Sequence, residues 1–391
     1  MSPRVATTGL FVVNGAVIGL WVSQIPWTQE RFGLSSIQVG LIILCMSLAV
    51  IVAVPIAGQA VARRGSGPVA VAGGVACIVA VNLPVLAPDP LLTAAALVVL
   101  GGASAAMDVA MNSHGVHIET TGRRPIMSSL HAGWALGGAA GAALGAAGAA
   151  LGLDGRVTVA IAAVLLGALL AACAPRLGPG SAAEGEAAAP VTLPSRGVAL
   201  LAALCLLVMM TEGAMADWSG ILMRNELGAS AAVAALAYAV FTVGMTVGRL
   251  VGDALNRRFG PVWLLRGGAA LTAVPLAVML VSGSAQVALA ALFLVGLGVA
   301  NGVPLMFSAA GRQPGTAPGP GIAAVSSTGS IGFLLGPPLI GFIAGAATLP
   351  WALGVLVPAA VVVGLLARRA AGGPVAGARD ARQGATVLGA G

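Results

Sequence analysis

The chain has 391 residues, 58% of them hydrophobic and only 8% charged, with a mean hydropathy of +1.01. Soluble domains carry about 25% charged residues, so a soluble globular protein is excluded. The net charge of +7 comes wholly from arginine, since the chain has no lysine; its placement reads as a membrane-topology signal and not as a nucleic-acid surface.

Apolar segments of about 20 residues recur, the length that crosses a ~30 Å hydrocarbon core. Inside lipid each must satisfy its own backbone polar groups, so each is expected to be a helix. The expected fold is all-α, with about twelve transmembrane helices in two pseudo-symmetric six-helix bundles. The first six spans fall near 6–26, 37–60, 69–86, 91–117, 127–151 and 157–174. The first lacks a small-x-small cleavage site and reads as a retained span, not a signal peptide. A polar stretch interrupted by Pro and Gly follows and reads as a linker. Six more spans fall near 197–218, 229–252, 262–281, 285–309, 322–346 and 351–367. The domain reading is therefore a bundle at 1–176, a cytoplasmic linker at 177–196, a bundle at 197–369 and a disordered tail at 370–391.

Arginines decide the orientation. Sixteen lie at the termini, the even-numbered connections and the adjoining helix ends, among them Arg4, Arg63, Arg64, Arg123, Arg124, Arg176 and Arg196. Only Arg31, Arg156 and Arg224 lie on the odd-numbered connections. The positive-inside rule then puts both termini in the cytoplasm of a bacterial-type inner membrane. Trp27, Trp218, Trp351 and Trp263 are expected as interface anchors at span ends, whereas Trp134 falls inside a span.

The halves echo one another. Asn14-Gly15-Ala16 recurs as Glu212-Gly213-Ala214, Gly58 as Gly252, and Ser128-Ser129 with Gly138 as Ser326-Ser327 with Gly336. The offsets are 198, 194 and 198, about half the chain, which argues for duplication. A duplicated six-span unit puts its binding site between the halves, near the bilayer midplane. The fifth span is a run of Ala and Gly suited to close helix packing. The eleventh holds Pro337 and Pro338, which interrupt the helical ladder.

The polar stretch from Gly101 to Gly138 carries the chemistry. Asp108 lies deep in an apolar run, where a carboxylate costs a few kcal/mol and marks function by default. Asp108, Asn112, Gly115 and Glu119 share one helical face. Asp108 and Glu212 are the two acids placed well inside spans and are the proton-coupling candidates. Substrate-binding candidates are Asn14, Gln24, Asn112, His131, Trp134, Thr211 and Asn301, amides, hydroxyls and aromatics that suit a small polar or amphiphilic solute; each also reads as a helix-tying group. Arg249 and Asp253, and Glu119 and Arg123, stand at i, i+4 and are expected to pair. His114, His117, Glu119 and His131 supply metal-type ligands, so a membrane metalloenzyme is the remote alternative. A sensor without transport is a third reading, but the chain has no output domain. No HExxH is present, no cofactor or resident metal is expected, and Cys45, Cys77, Cys173 and Cys205 read as inert packing residues.

Twelve spans in two arginine-marked halves resemble the major facilitator superfamily. Its signature follows the second span as G-x-x-x-D-R-x-G. Here Gly58, Arg63, Arg64 and Gly65 fit, with Ala62 at the acidic position; Gly252, Asp253, Arg257 and Arg258 echo it in the second half. The resemblance implies that these residues form gating loops, whose charge contacts hold one state closed. DVAMNSHGVHIE, SSLHAGWALGG and TEGAMADWSGILMRNELGAS are similar to the group related to fucose–proton symporters, in which the fourth-span acid is matched by Asp108. The resemblance implies a monomeric, proton-coupled secondary transporter working by alternating access on a small-molecule substrate, not an enzyme; a drug or metabolite efflux carrier of the same fold is the alternative.

Overall fold

The computed structural model describes residues 2–122, 126–180, 195–313 and 318–371. Arg123, Arg124, Arg379, Arg382, most of the linker and nearly all of the tail lie outside the described residues. Twelve helical rods account for almost everything else, and no strand occurs among the described residues. The first half comprises α1 (Pro3–Phe32), α2 (Ser36–Arg64), α3 (Ser66–Ala80, continued by Asn82–Leu86), α4 (Pro90–Gly122), α5 (Met127–Ala150) and α6 (Gly155–Cys173). The second comprises α7 (Arg196–Ile221, continued by a π-turn at Leu222–Glu226), α8 (Ala231–Phe259), α9 (Pro261–Ser282), α10 (Ala285–Val299, continued by Gly302–Ala310), α11 (Pro318–Ala346) and α12 (Leu349–Gly354, continued by Leu356–Ala371).

Eleven of these rods are long and apolar enough to cross a membrane. The twelfth, α5, is mostly Ala and Gly. It lies against α1 with backbone nearly touching backbone. A Cβ on Gly137 would overlap the Val12 carbonyl, and one on Gly141 the Ala16 carbonyl. Lipid gives helices no hydrophobic reason to associate, so this close fit is what holds them together.

Local chemistry sets the rod ends. Ser35 and Gln38 form a reciprocal capping box at α2, and Ser230 caps α8 in the corresponding place. Gly33 and Gly228 end their helices at φ 62° and 61°, a left-handed turn that glycine adopts without penalty. Glu119 Oε2 accepts from the backbone N–H groups of Ile126 (2.6 Å) and Met127 (3.0 Å). It thus serves the N-terminal end of α5, where orphan donors need an acceptor; its expected partner Arg123 lies outside the described residues.

Duplication is visible as repeated geometry. α2 and α8 both have 29 residues, and each ends in a glycine of the same unusual conformation: Gly65 at φ 83°, ψ 156° and Gly260 at φ 80°, ψ 164°. That fixes their offset at 195 throughout, so Gly58 matches Asp253 and not Gly252. This fit repeats every turn; the register set by the helix ends, Gly33 against Gly228, matches Gly137 on Val12 in the first half with Gly332 on Leu206 in the second. Those pairs give 195 between α5 and α11 (332 minus 137) and 194 between α1 and α7 (206 minus 12). The sequence offset of 198 is thus one helical turn out of register: the counterpart of Glu212 is Ile18, and that of Asn14 is Val208. A shift of one turn keeps a residue on the same face, which is why short matches in an Ala- and Gly-rich chain mislead here.

Candidate functional site

Between the halves lies a cavity of about 240 Å³. It is walled by α1, α2, α4 and α5 from the first half and by α7, α8 and α11 from the second. Three acids reach it: Asp108 from α4, and Glu212 and Asp217 from α7. Asn14, Ser47, Ser104, Trp134 and Tyr238 add polar groups, and Ile18, Val22, Ile43, Met46 and Val50 add an apolar wall.

Asp108 is exposed to the cavity. Its Oδ1 accepts from Asn112 Nδ2 at 3.1 Å, and the same amide donates to the Asp108 carbonyl at 2.9 Å. Asn112 thereby orients the carboxylate from one turn away and is not itself a wall residue. Glu212 is 15% exposed and faces Arg249 of α8, 4.0 Å from guanidinium N to carboxylate O. The expected Arg249–Asp253 pair is replaced by this inter-helix pair, and Asp253 is exposed. Asp217 has neither a hydrogen bond nor an ion pair among the described residues. It is half-buried, with Tyr238 within electrostatic reach of both it and Glu212.

Asn14 is only 2% exposed. Its Oδ1 accepts from Trp134 Nε1 at 2.9 Å, and its Nδ2 donates to Ser104 O and Oγ at 3.4 Å. One amide therefore ties α1, α4 and α5 together at the cavity edge.

The other candidates lie elsewhere. Gln24 lines a smaller void of about 50 Å³ near Trp27 and Glu30. Thr211 lines a void inside the second half and bonds the Leu207 carbonyl. Asn301 donates to Gly248 O at 2.9 Å, filling the break in α10 and fixing it to α8. His131 is exposed and sits edge-on to Phe11 at 5.4 Å. His114 is fully buried and its Nδ1 meets Ser66 Oγ at 3.1 Å. Among the described residues no group of three or more His, Cys, Asp or Glu is arranged to hold a metal.

Sequence reasoning missed Asp217 because Trp218 read as an interface anchor at the end of the span. Trp218 is in fact fully buried, and its indole N–H donates to the Pro337 carbonyl at 3.0 Å. The helix runs on through the π-turn to Glu226, which leaves Asp217 well inside it. Trp351 and Trp263, by contrast, are exposed. Tyr238, the chain's single tyrosine, was also missed; an aromatic in an apolar run gives no signal of its own.

The halves meet at the arginine-poor end. Ser36, Ile37 and Gly40 of α2 pack on Pro338, Gly341 and Gly345 of α11. The C-terminal turn of α1 meets the π-turn after α7: Arg224 Nε donates to Glu30 Oε1, and Asn225 Nδ2 donates to Gln29 Oε1 at 3.0 Å. At offset 195, Gln29 matches Arg224 and Glu30 matches Asn225. The two bonds are thus one pseudo-two-fold contact made twice, once charged and once neutral. Towards the arginine-rich end α2 is open: Val54, which lines the cavity, is exposed, and nothing lies within 4 Å of a Cβ placed on Gly58. Arg63, Arg64, Arg257 and Arg258 are exposed there.

Two helical bundles around one polar cavity define a polytopic membrane carrier. Residues 200–387 match the model of the Major Facilitator Superfamily. The chain is 32% identical over 355 residues to an uncharacterized MFS-type transporter of Yersinia pestis, covering 90% of this chain and 92% of that one. It is 30% identical to the membrane protein MosC of Rhizobium meliloti, covering 90% and 86%. Among solved structures, the nucleoside transporter NupG is similar at a TM-score of 0.71 and 11% identity, covering 94% of this chain and 98% of that one. A bacterial homolog of the human lysosomal transporter Spinster, inward-facing and occupied, gives 0.72 and 15%, covering 94% and 96%. The chain belongs to the major facilitator superfamily, and it is a multi-pass membrane transporter of a small-molecule substrate.

Proposed function

We propose that this transporter is proton-coupled and works by alternating access, with substrate in the central cavity and Asp108 and Glu212 as the groups that take up and release protons. The observation that carries the reading is that both halves contribute carboxylates to one cavity, while the hydrogen bonds joining the halves lie at one end of it. The moving units are the bundles 1–176 and 197–369. With both termini cytoplasmic in an inner membrane, the open end faces the cytoplasm, and the Glu30–Arg224 and Gln29–Asn225 contacts close the outside. Kinship to fucose–proton symporters rests on Asp108 as the fourth-span acid. Asn14 and Trp134 stand at the substrate; Gln24, Asn112, His131, Thr211 and Asn301 act on helix packing or carboxylate orientation. The residues expected as gating loops are helical: the last turns of α2, from Gly58 to Gly65, and of α8, from Asp253 to Gly260, close against one another in the opposite state.

Charge explains why a carboxylate suits coupling. Loaded with proton and substrate, the site is neutral and can pass an apolar constriction; emptied, it must lose its proton to reset. Asparagine copies the protonated shape but releases nothing. Asp108→Asn in liposomes should abolish uptake driven by a pH gradient while substrate–substrate exchange at equal pH persists. Normal gradient-driven uptake by the variant rules Asp108 out as the coupling group. Orientation has its own check: a cytoplasm-active reporter is active when fused after Arg369 and silent near Asp154, and the reverse pattern refutes the topology.

A further inference from the structure

The central cavity has a one-sided charge. Its wall carries three of the chain's twelve acidic residues and, among the described residues, no basic one. Arg249 pairs with Glu212 at 4.0 Å and is not one of the wall residues. Asp108 has an amide donor, Glu212 has Arg249, and Asp217 has no partner among the described residues. A half-buried carboxylate without a partner is costly, and the open space in front of Asp217 is the cavity. Four aromatic side chains face the same space: Trp21, Trp134, Tyr238 and Phe333. Aromatic faces beside a carboxylate form the environment that binds ammonium groups, through ring quadrupole and charge together. A cavity of about 150 Å³ binds benzene, so a 240 Å³ space holds a body of single-ring size.

We propose that the cavity selects organic monocations, a protonated or quaternary amine on an apolar single-ring body, with Asp217 receiving the ammonium group. This rests on the reading that the central cavity is the transport site, and goes beyond it by fixing the charge of the substrate. Neutral solutes leave Asp217 unpartnered, and organic anions meet three acids with no base in the wall. The division of labour follows: Asp108 and Glu212 serve the proton, and Asp217 serves the substrate.

The test uses a reporter thiol in the wall. Ser47→Cys is made with Cys45→Ala, the remaining cysteines being buried. The purified full chain is labelled with neutral N-ethylmaleimide, with and without benzyltrimethylammonium, benzyl alcohol or benzenesulfonate, which share one ring and differ in charge. The cation is expected to slow labelling roughly tenfold at a concentration where the other two do nothing. Asp217→Asn should remove the protection and Asp217→Glu should keep it. No protection by the cation, or equal protection by the alcohol or the sulfonate, overturns the proposal while leaving the cavity as the transport site. A reporter thiol that reacts only after denaturation sinks both readings, because the cavity is then not reachable. The three-ligand comparison needs no change at Asp217 and stands even where Asp217→Asn does not fold.

Discussion

α1 and α7 are counterparts in the two halves, and they treat the shared cavity in opposite ways. On α1 the cavity-facing positions are Asn14, Ile18, Trp21 and Val22, and the amide of Asn14 is spent on Trp134 and Ser104. On α7 they are Glu212, Ala216 and Asp217, the first opposite Arg249 and the second acid facing open space. Neither acid has an acidic counterpart across the pseudo-two-fold: Ile18 matches Glu212. Duplication supplied the same helix twice; one copy became framework, and the other carries charge. The first half places its charge on α4 instead, at Asp108.

Four comparisons break or sharpen this contrast. The largest effect is expected from Glu212→Gln, which should abolish gradient-driven accumulation in liposomes. The same assay should find Asn14→Gln coupled, because α1 carries no charge to lose; retained accumulation in Glu212→Gln would falsify the assignment of charge to α7. Next comes Gly141→Val. The α1–α5 joint has no room for a side chain, and overpacking costs about 1–3 kcal/mol or more. Folded protein recovered by size-exclusion chromatography should fall sharply, whereas Gly167→Val on α6, with nothing within 4 Å, should match wild type.

Asn14→Ala is expected to be smaller. It leaves the Trp134 indole N–H without its acceptor, at about 1–3 kcal/mol for an orphaned buried donor. A lower melting temperature with an unchanged proton-to-substrate ratio supports a framework role; a changed ratio moves Asn14 into the coupling machinery. The smallest effects belong to the contacts between α1 and the π-turn after α7. Exposed ion pairs contribute roughly 0.2–1 kcal/mol, so Arg224→Ala should shift the balance between facing states by a few-fold at most, with Gln29→Ala weaker still. The readout is labelling of a Glu212→Cys reporter by a membrane-impermeant thiol reagent from the outside. An unchanged rate in the double variant means the paired turns are not a latch.

Much of the architecture was legible in advance. Span length follows from hydrocarbon thickness, and the rods formed where expected, including α5, whose small residues signalled close packing. Asp108 and Glu212 were legible as acids in apolar runs because such acids are expensive. Asp217 was not, since the adjacent tryptophan imitated an interface anchor while its indole was bonded to Pro337. Asn14 and Trp134 were both singled out; their bond to one another joins residues 120 positions apart, and nothing in local spacing announces it.

The sequence by itself determined how many rods there are, which ends carry arginine and which runs hold a charge, because each is a transfer energy summed over neighbouring residues. Tertiary structure alone decided which residue of one half answers which residue of the other. Helical periodicity repeats every 3.6 residues, so an offset of 198 and one of 194 put a residue on the same face and look alike in sequence. Only the rod ends separate them: Gly33 and Gly228 close their helices in the same left-handed conformation, and the Glu30–Arg224 and Gln29–Asn225 bonds pair the two halves at an offset of 195.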